Sequence, residues 1–217
     1  RPGTRFASSA MRQESFGIET YSPYQDKDLE DIKVFDGGDL ELPFGNPRKS
    51  LDMIQETIKT ILEANKLPCM IGGEHLVTLG AIEAVVEKYP DLRIIHFDAH
   101  TDLRDEYLGE KLSHASVIRR VHDIVGNGKI HQFGIRSGER DEFYWAKEHT
   151  NLNKFNFKGL QEAIEECQNY PVYFTIDLDV LDPSVFPGTG TPEAGGVTFM
   201  ELLEAIITVS KLNVVAM

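Results

Sequence analysis

The chain reads as an α/β protein whose mainly parallel sheet is covered by helices on both faces. Two observations predict this. Short apolar runs rich in β-branched and aromatic residues recur along the chain, each bounded by turn residues. Longer segments between them carry apolar residues at helical spacing. Strands and helices alternating in this way bury a parallel sheet between two helical layers.

Taken in order, residues 21–42 are acidic and irregular. Residues 48–65 place Leu51, Ile54, Ile58, Ile61 and Leu62 on one helical face, and Lys66-Leu67-Pro68 ends that helix. Residues 68–71 form a short apolar strand stopped by Gly72-Gly73. A helix over 76–88 follows, with Leu79, Ile82, Val85 and Val86 facing inward. Strands are predicted over 92–97, 129–135 and 172–176, and another begins at 214–216. Helices are predicted over 113–124, 139–148, 158–168 and 198–211. No linker, repeat or low-complexity stretch interrupts residues 1–217, so one domain is expected. The opening at Arg1 and the ending in a nascent strand at Met217 read as cut ends.

Composition bounds the function. The 217 residues are 41% hydrophobic and 26% charged, ordinary for a globular protein. No apolar run approaches the ~20 residues that span a bilayer, and the polar start carries no leader. Cys69 and Cys167 form neither a disulfide framework nor a zinc spacing and read as core packing, in a reducing, cytoplasmic setting. A net charge of −13 argues against nucleic acid and is compatible with a cationic substrate.

Three polar clusters follow predicted strands: Gly72-Gly73-Glu74-His75, Asp98-Ala99-His100-Thr101-Asp102 and Asp177-Leu178-Asp179. Ligands bind at the carboxyl ends of strands in open parallel sheets, so three segments distant in sequence converge there. Residues two apart in an extended chain project to one side. Four carboxylates aimed at one point push at least one pKa sharply up unless cations compensate. Two divalent ions balance them, and a set richer in oxygen than nitrogen, without thiolate, favours Mn²⁺ over Zn²⁺. The candidate metal ligands are His75, Asp98, His100, Asp102, Asp177 and Asp179. His96 lies two residues before Asp98 on the same side, either a buried structural histidine or a residue orienting a ligand. His122, His131 and His149 stand outside any motif.

These clusters, with Ser113-His114-Ala115-Ser116, Thr175-Ile176-Asp177-Leu178-Asp179-Val180-Leu181-Asp182-Pro183 and Pro187-Gly188-Thr189-Gly190-Thr191-Pro192-Glu193-Ala194-Gly195-Gly196, resemble the ureohydrolases, the family of arginases and agmatinases. The opening Arg1-Pro2-Gly3-Thr4-Arg5-Phe6-Ala7 resembles the agmatinases, which are closest in texture and in which it follows the first strand. The resemblance implies a three-layer α/β/α sandwich with eight parallel strands, two manganese ions per subunit on the six residues, and assembly as a homotrimer or homohexamer. It implies hydrolysis of a guanidino C–N bond, agmatine giving putrescine and urea. Asp102 then passes on the nucleophile's proton, and His114 matches a proton shuttle; from its own sequence His114 is equally a first-turn residue of a helix capped by Ser113. The family's guanidinium-gripping glutamate is expected beyond Met217. Asp105 and Glu106 are candidates for the substrate's second cation, whereas Arg104 suits a guanidino acid. Glu193 reads as a loop residue. The alternatives are guanidinobutyrate, formiminoglutamate or arginine as substrate, and an inactive metal-binding homologue. A single-zinc deacetylase of similar fold, which lacks the His75 match, is remoter.

Overall fold

The structure is a computed structural model that describes residues 3–217; Arg1 and Pro2 of the opening motif lie outside them. Helix α1 (Ala7–Ser15) and a small hairpin, β1 (Tyr21–Ser22) with β2 (Lys27–Asp28), precede the main body. The body then runs α2 (Pro47–Glu63), α3 (Val77–Lys88), β3 (Arg93–Phe97), α4 (Val117–Val125), β4 (Ile130–Ile135) and α5 (Arg140–His149). It continues β5 (Asn151–Lys154), α6 (Leu160–Cys167), β6 (Pro171–Ile176), α7 (Phe199–Val209) and β7 (Asn213–Ala216).

The five main strands pair in parallel in the order β5-β4-β3-β6-β7. The chain builds outward from β3 through β4 to β5, then crosses back to lay β6 on the other side of β3. The strand order therefore reverses between β3 and β6, which opens a crevice at their carboxyl ends.

Successive residues of a buried strand face opposite layers. Ile94, Ile130 and Tyr173 pack with the apolar stripes of α2, α3 and α4. Ile95, Phe97, Phe133, Val172 and Phe174 pack with α6 and α7. The result is the α/β/α sandwich expected from the sequence. The described residues hold five of the eight parallel strands that the resemblance implies. Helix ends are fixed locally. Asn46 caps α2 by accepting from the Lys49 N–H at 3.1 Å, with Pro47 in the first turn. Reciprocal side-chain and backbone bonds close the starts of α5 (Glu139 with Glu142) and α7 (Thr198 with Glu201).

Five expectations need correction. Residues 68–71 form no regular strand. Their backbone runs beside the end of β7, Met70 N–H donating to Met217 O (2.8 Å) and Met217 N–H to Pro68 O (3.0 Å). Cys69 on that stretch is exposed rather than packed in the core, whereas Cys167 is buried. Helix α4 starts four residues later than expected, because a 3₁₀ turn at His114–Ser116 precedes it. The Ser113 hydroxyl lies 3.0 Å from the Ser116 hydroxyl instead of capping the backbone. The polar run Asn151–Lys154 was not expected as a strand, yet pairs with β4 at the sheet edge.

Candidate metal centre

Phe97 of β3 pairs in register with Ile176 of β6, so Asp98 and Asp177 leave the sheet side by side. The ladder extends one step into them: Asp98 N–H donates to Phe133 O (3.1 Å) and Asp177 N–H to Phe97 O (2.8 Å). Beyond Asp98 the chain is held on both flanks. Ala99 O accepts from the N–H groups of Arg136 (2.7 Å) and Ser137 (2.9 Å), and Ala99 N–H donates to Asp179 Oδ1 (3.0 Å). Asp102 has φ +53, a left-handed conformation that aspartate tolerates better than most side chains. Its carbonyl accepts from Ile118 and Arg119 N–H at the start of α4, both at 3.1 Å. His75 sits in the turn before α3. That turn is reached through Gly73, where a Cβ would fall 2.5 Å from Thr4 O, so the opening segment can lie against it only if residue 73 is glycine.

The predicted residues form two groups that share Asp98. His75 Nδ1 lies 3.0 Å from Asp98 Oδ2 and 3.1 Å from Asp102 Oδ2. His100 Nδ1 lies 2.9 Å from Asp179 Oδ2 and 3.4 Å from Asp98 Oδ1. Candidate ligand atoms of His75, His96, Asp98 and Asp102 fall within 4.8 Å of one another, as do those of Asp98, His100 and Asp179. Asp177 stands at the rim, its Oδ2 3.8 Å from His75 Nδ1, and belongs to neither tight group.

The electrostatics fit a divalent cation. Asp98, Asp102 and Asp179 are buried. Burial, and then the charge of Asp98, raises Asp102 to about 7 and Asp177 to about 6. Burial opposes charge on both imidazoles, yet the carboxylates outweigh it. Asp102 and Asp98 hold His75 well above its ordinary value, and Asp179 and Asp98 take His100 up to about 11. Without a metal, the site thus balances its carboxylates with protons. The His75 ring points its Nε2 at Thr175 Oγ1 (3.2 Å), while its buried Nδ1 makes no aligned hydrogen bond despite its nearby carboxylate oxygens. An unpaired buried nitrogen facing three carboxylates is the donor set a metal ion takes, and the Thr175 contact fixes the ring for it.

The other candidates fall around this cluster. His114 is half-exposed, its Nδ1 3.8 Å from Glu74 Oε1 and its ring edge-on to Tyr107. Glu74 and His114 border a cavity of about 420 Å³ walled by Leu42, Pro43, Leu76 and Leu112; none of the six predicted ligands lines it. Arg104 pairs with Glu139 (3.2 Å) and Glu142 (3.6 Å), and Asp105 with Arg120 (2.7 Å). His122 and His149 meet at Asn127 Oδ1, and His131 lies 3.7 Å from Glu166.

Sequence reasoning missed several supports. Buried Glu142 accepts from the Thr101 hydroxyl and the Leu103 N–H, pinning the loop that carries Asp102. Arg136 donates to the carbonyls of Gly134, Asp179, Val180, Leu181 and Glu193. Glu193, read as a loop residue, accepts from the Ser137 hydroxyl (2.9 Å) and lies 3.9 Å from His100 Nε2. Gln132 is a fully buried amide next to buried His131 in β4, and two polar side chains inside a buried strand were the available signal.

Comparison with known proteins places the chain among relatives of one family. The chain is 52% identical over 216 residues to an agmatinase of Bacillus anthracis, covering 99% of this chain and 74% of that protein. It is 38% identical over 212 residues to an N(1)-aminopropylagmatine ureohydrolase of Thermococcus kodakarensis, covering 95% and 71%. It superposes on a crystal structure from Clostridium difficile with a TM-score of 0.95 at 50% identity, covering 98% of this chain and 79% of that one. The arginase family model matches residues 1–217, and the chain belongs to that family.

Proposed function

We propose that this chain hydrolyses agmatine to putrescine and urea with two manganese ions, on His75, Asp98, His100, Asp102, Asp177 and Asp179. The carrying observation is the pair of acid–imidazole groups sharing Asp98 at the switch point of the sheet. The donor set, rich in oxygen and without thiolate, suits manganese. When bound, the ions lower the pKa of water from about 15.7 towards ~7 and so supply a nucleophile at neutral pH.

The chain's own residues do the rest. Asp98 holds the two halves of the site at a fixed separation. Asp102 takes up the proton lost by the attacking water. His114, half-exposed beside Glu74, passes a proton to the departing amine. The acidic surroundings favour a substrate with a second cation. Arg104, the one feature that would suit a guanidino acid, is already matched by Glu139 at 3.2 Å. Assembly as a homotrimer or homohexamer belongs to the same reading. It is supported by the exposed Phe6, Phe16, Phe35 and Phe44 on the N-terminal segment.

The test is urea release with Mn²⁺ from agmatine, arginine and guanidinobutyrate. Agmatine is expected to give the highest kcat/KM; a higher value for either of the others would replace the substrate assignment while keeping the reaction.

A further inference from the structure

We propose that His96, clamped by Gln132 and Thr150, is a positioning residue that holds Asp98 in the bridging orientation between the two halves of the metal centre. The proposal rests on the metal-dependent reading above. His96 and Gln132 are register partners on β3 and β4, and both are fully buried. The Gln132 amide has one arrangement that satisfies all its neighbours. Its NH₂ donates to Thr101 O (2.8 Å), which can only accept, and to His96 Nδ1 (3.1 Å); its Oε1 accepts from the Thr150 hydroxyl (3.1 Å). The reversed amide would set two oxygens against each other at Thr101.

With Nδ1 accepting, the ring proton sits on Nε2, which donates to Asp98 Oδ2 at 2.8 Å. His96 lies within reach of a metal in the first group, but a protonated Nε2 has no lone pair to give, so it steers a ligand instead of being one. Asp98 Oδ1 is fixed in turn by the His100 N–H at 2.6 Å. Each carboxylate oxygen thus spends one lone pair on a protein donor and keeps one for the half-site it faces. A rotation of Asp98 would withdraw both at once. The Thr150–Gln132–His96 chain opposes that rotation, and it is anchored on rigid strand and helix-end backbone.

The experiment compares manganese affinity and stoichiometry, by calorimetry and electron paramagnetic resonance, with ion-free melting temperature in the full-length protein. His96→Phe keeps the ring's bulk but cannot donate. It is expected to weaken manganese binding about 10- to 100-fold at unchanged stoichiometry, with the ion-free melting temperature preserved. His96→Gln, whose amide can donate, is expected to recover most of the affinity. Unchanged manganese affinity in His96→Phe overturns the proposal and leaves His96 as packing. Loss of one ion per subunit also overturns it, making His96 a ligand. If His96→Phe does not fold, Gln132→Leu carries the test: it frees the ring and is expected to weaken binding about 10-fold, and unaltered binding there refutes the clamp. Wild-type protein that binds manganese but releases no urea from agmatine would sink the substrate assignment and leave this proposal standing. Wild-type protein that binds none would sink both.

Discussion

At the scale of single residues, proximity to the cluster and contribution to it separate cleanly. His100 and Asp179 face each other at 2.9 Å beside buried Asp98, so removing either takes a donor from a shared group. His100→Ala or Asp179→Ala is expected to lose manganese and urea release together, by more than the ~100-fold typical of an outer-shell change, with circular dichroism unaltered. Asp105, three residues after Asp102, is spent on an exposed pair with Arg120. Asp105→Asn is expected to leave both thermal stability and manganese binding essentially unchanged, because an exposed pair is screened by water. Retained manganese in His100→Ala would reject its assignment. Five of the six candidate ligands were legible because acidic and imidazole residues recur two apart after strands, at 98, 100 and 102 and at 177 and 179, a pattern with no cheap structural use; His75 was legible only through its Gly-Gly-Glu-His motif. The supports were not. Gln132, Thr175 and Arg136 act through partners tens of residues away, and no local spacing encodes such contacts.

At the scale of elements, β4 carries a feature that serves the neighbouring site. Gly134 has φ +85, and the pairing of β4 with β5 shifts register around it. A Cβ there would collide with the Val180 side chain and approach Asp98 O to 3.0 Å. Gly134→Ala is therefore expected to destabilise the fold by about 1–3 kcal/mol in chemical denaturation. It is also expected to weaken manganese binding, since the displaced atoms flank Asp98 and Asp179. A neutral effect on both would show that the segment yields freely. Elements with strong periodicity, such as α2 with Leu51, Ile54, Ile58 and Leu62 on one face, were readable to within two residues. The misses have a common physical cause. The edge strand Asn151–Lys154 buries little and so carries no apolar signal, and the 3₁₀ turn before α4 follows from tertiary contacts at Asp102 rather than from propensity.

At the scale of the whole molecule, the site couples folding, protons and metal. Asp102, raised from 3.8 to about 7, and Asp177, raised to about 6, retain protons in the folded chain that the unfolded chain has released. Stability of the ion-free protein therefore falls as pH rises from about 4 through about 7. His75 and His100, held protonated above their usual range, extend the fall to higher pH. Asp98, depressed, acts in the opposite sense, but only below about 4. A divalent cation held by these groups would displace the protons, so the rise in melting temperature on adding manganese is expected to be larger at pH 8 than at pH 5.5. Its binding heat is expected to vary with the buffer's ionisation enthalpy. Equal stabilisation at both pH values would contradict this linkage.

The carboxylates of Asp98, Asp102 and Asp179 raise the pKa of His75 and His100, so that these imidazoles, when protonated, serve as provisional counter-ions. A nascent chain can close its three layers around this temporary neutrality and exchange it for metal afterwards. An ion-free chain would then be a finished scaffold, able to take up a divalent cation without refolding.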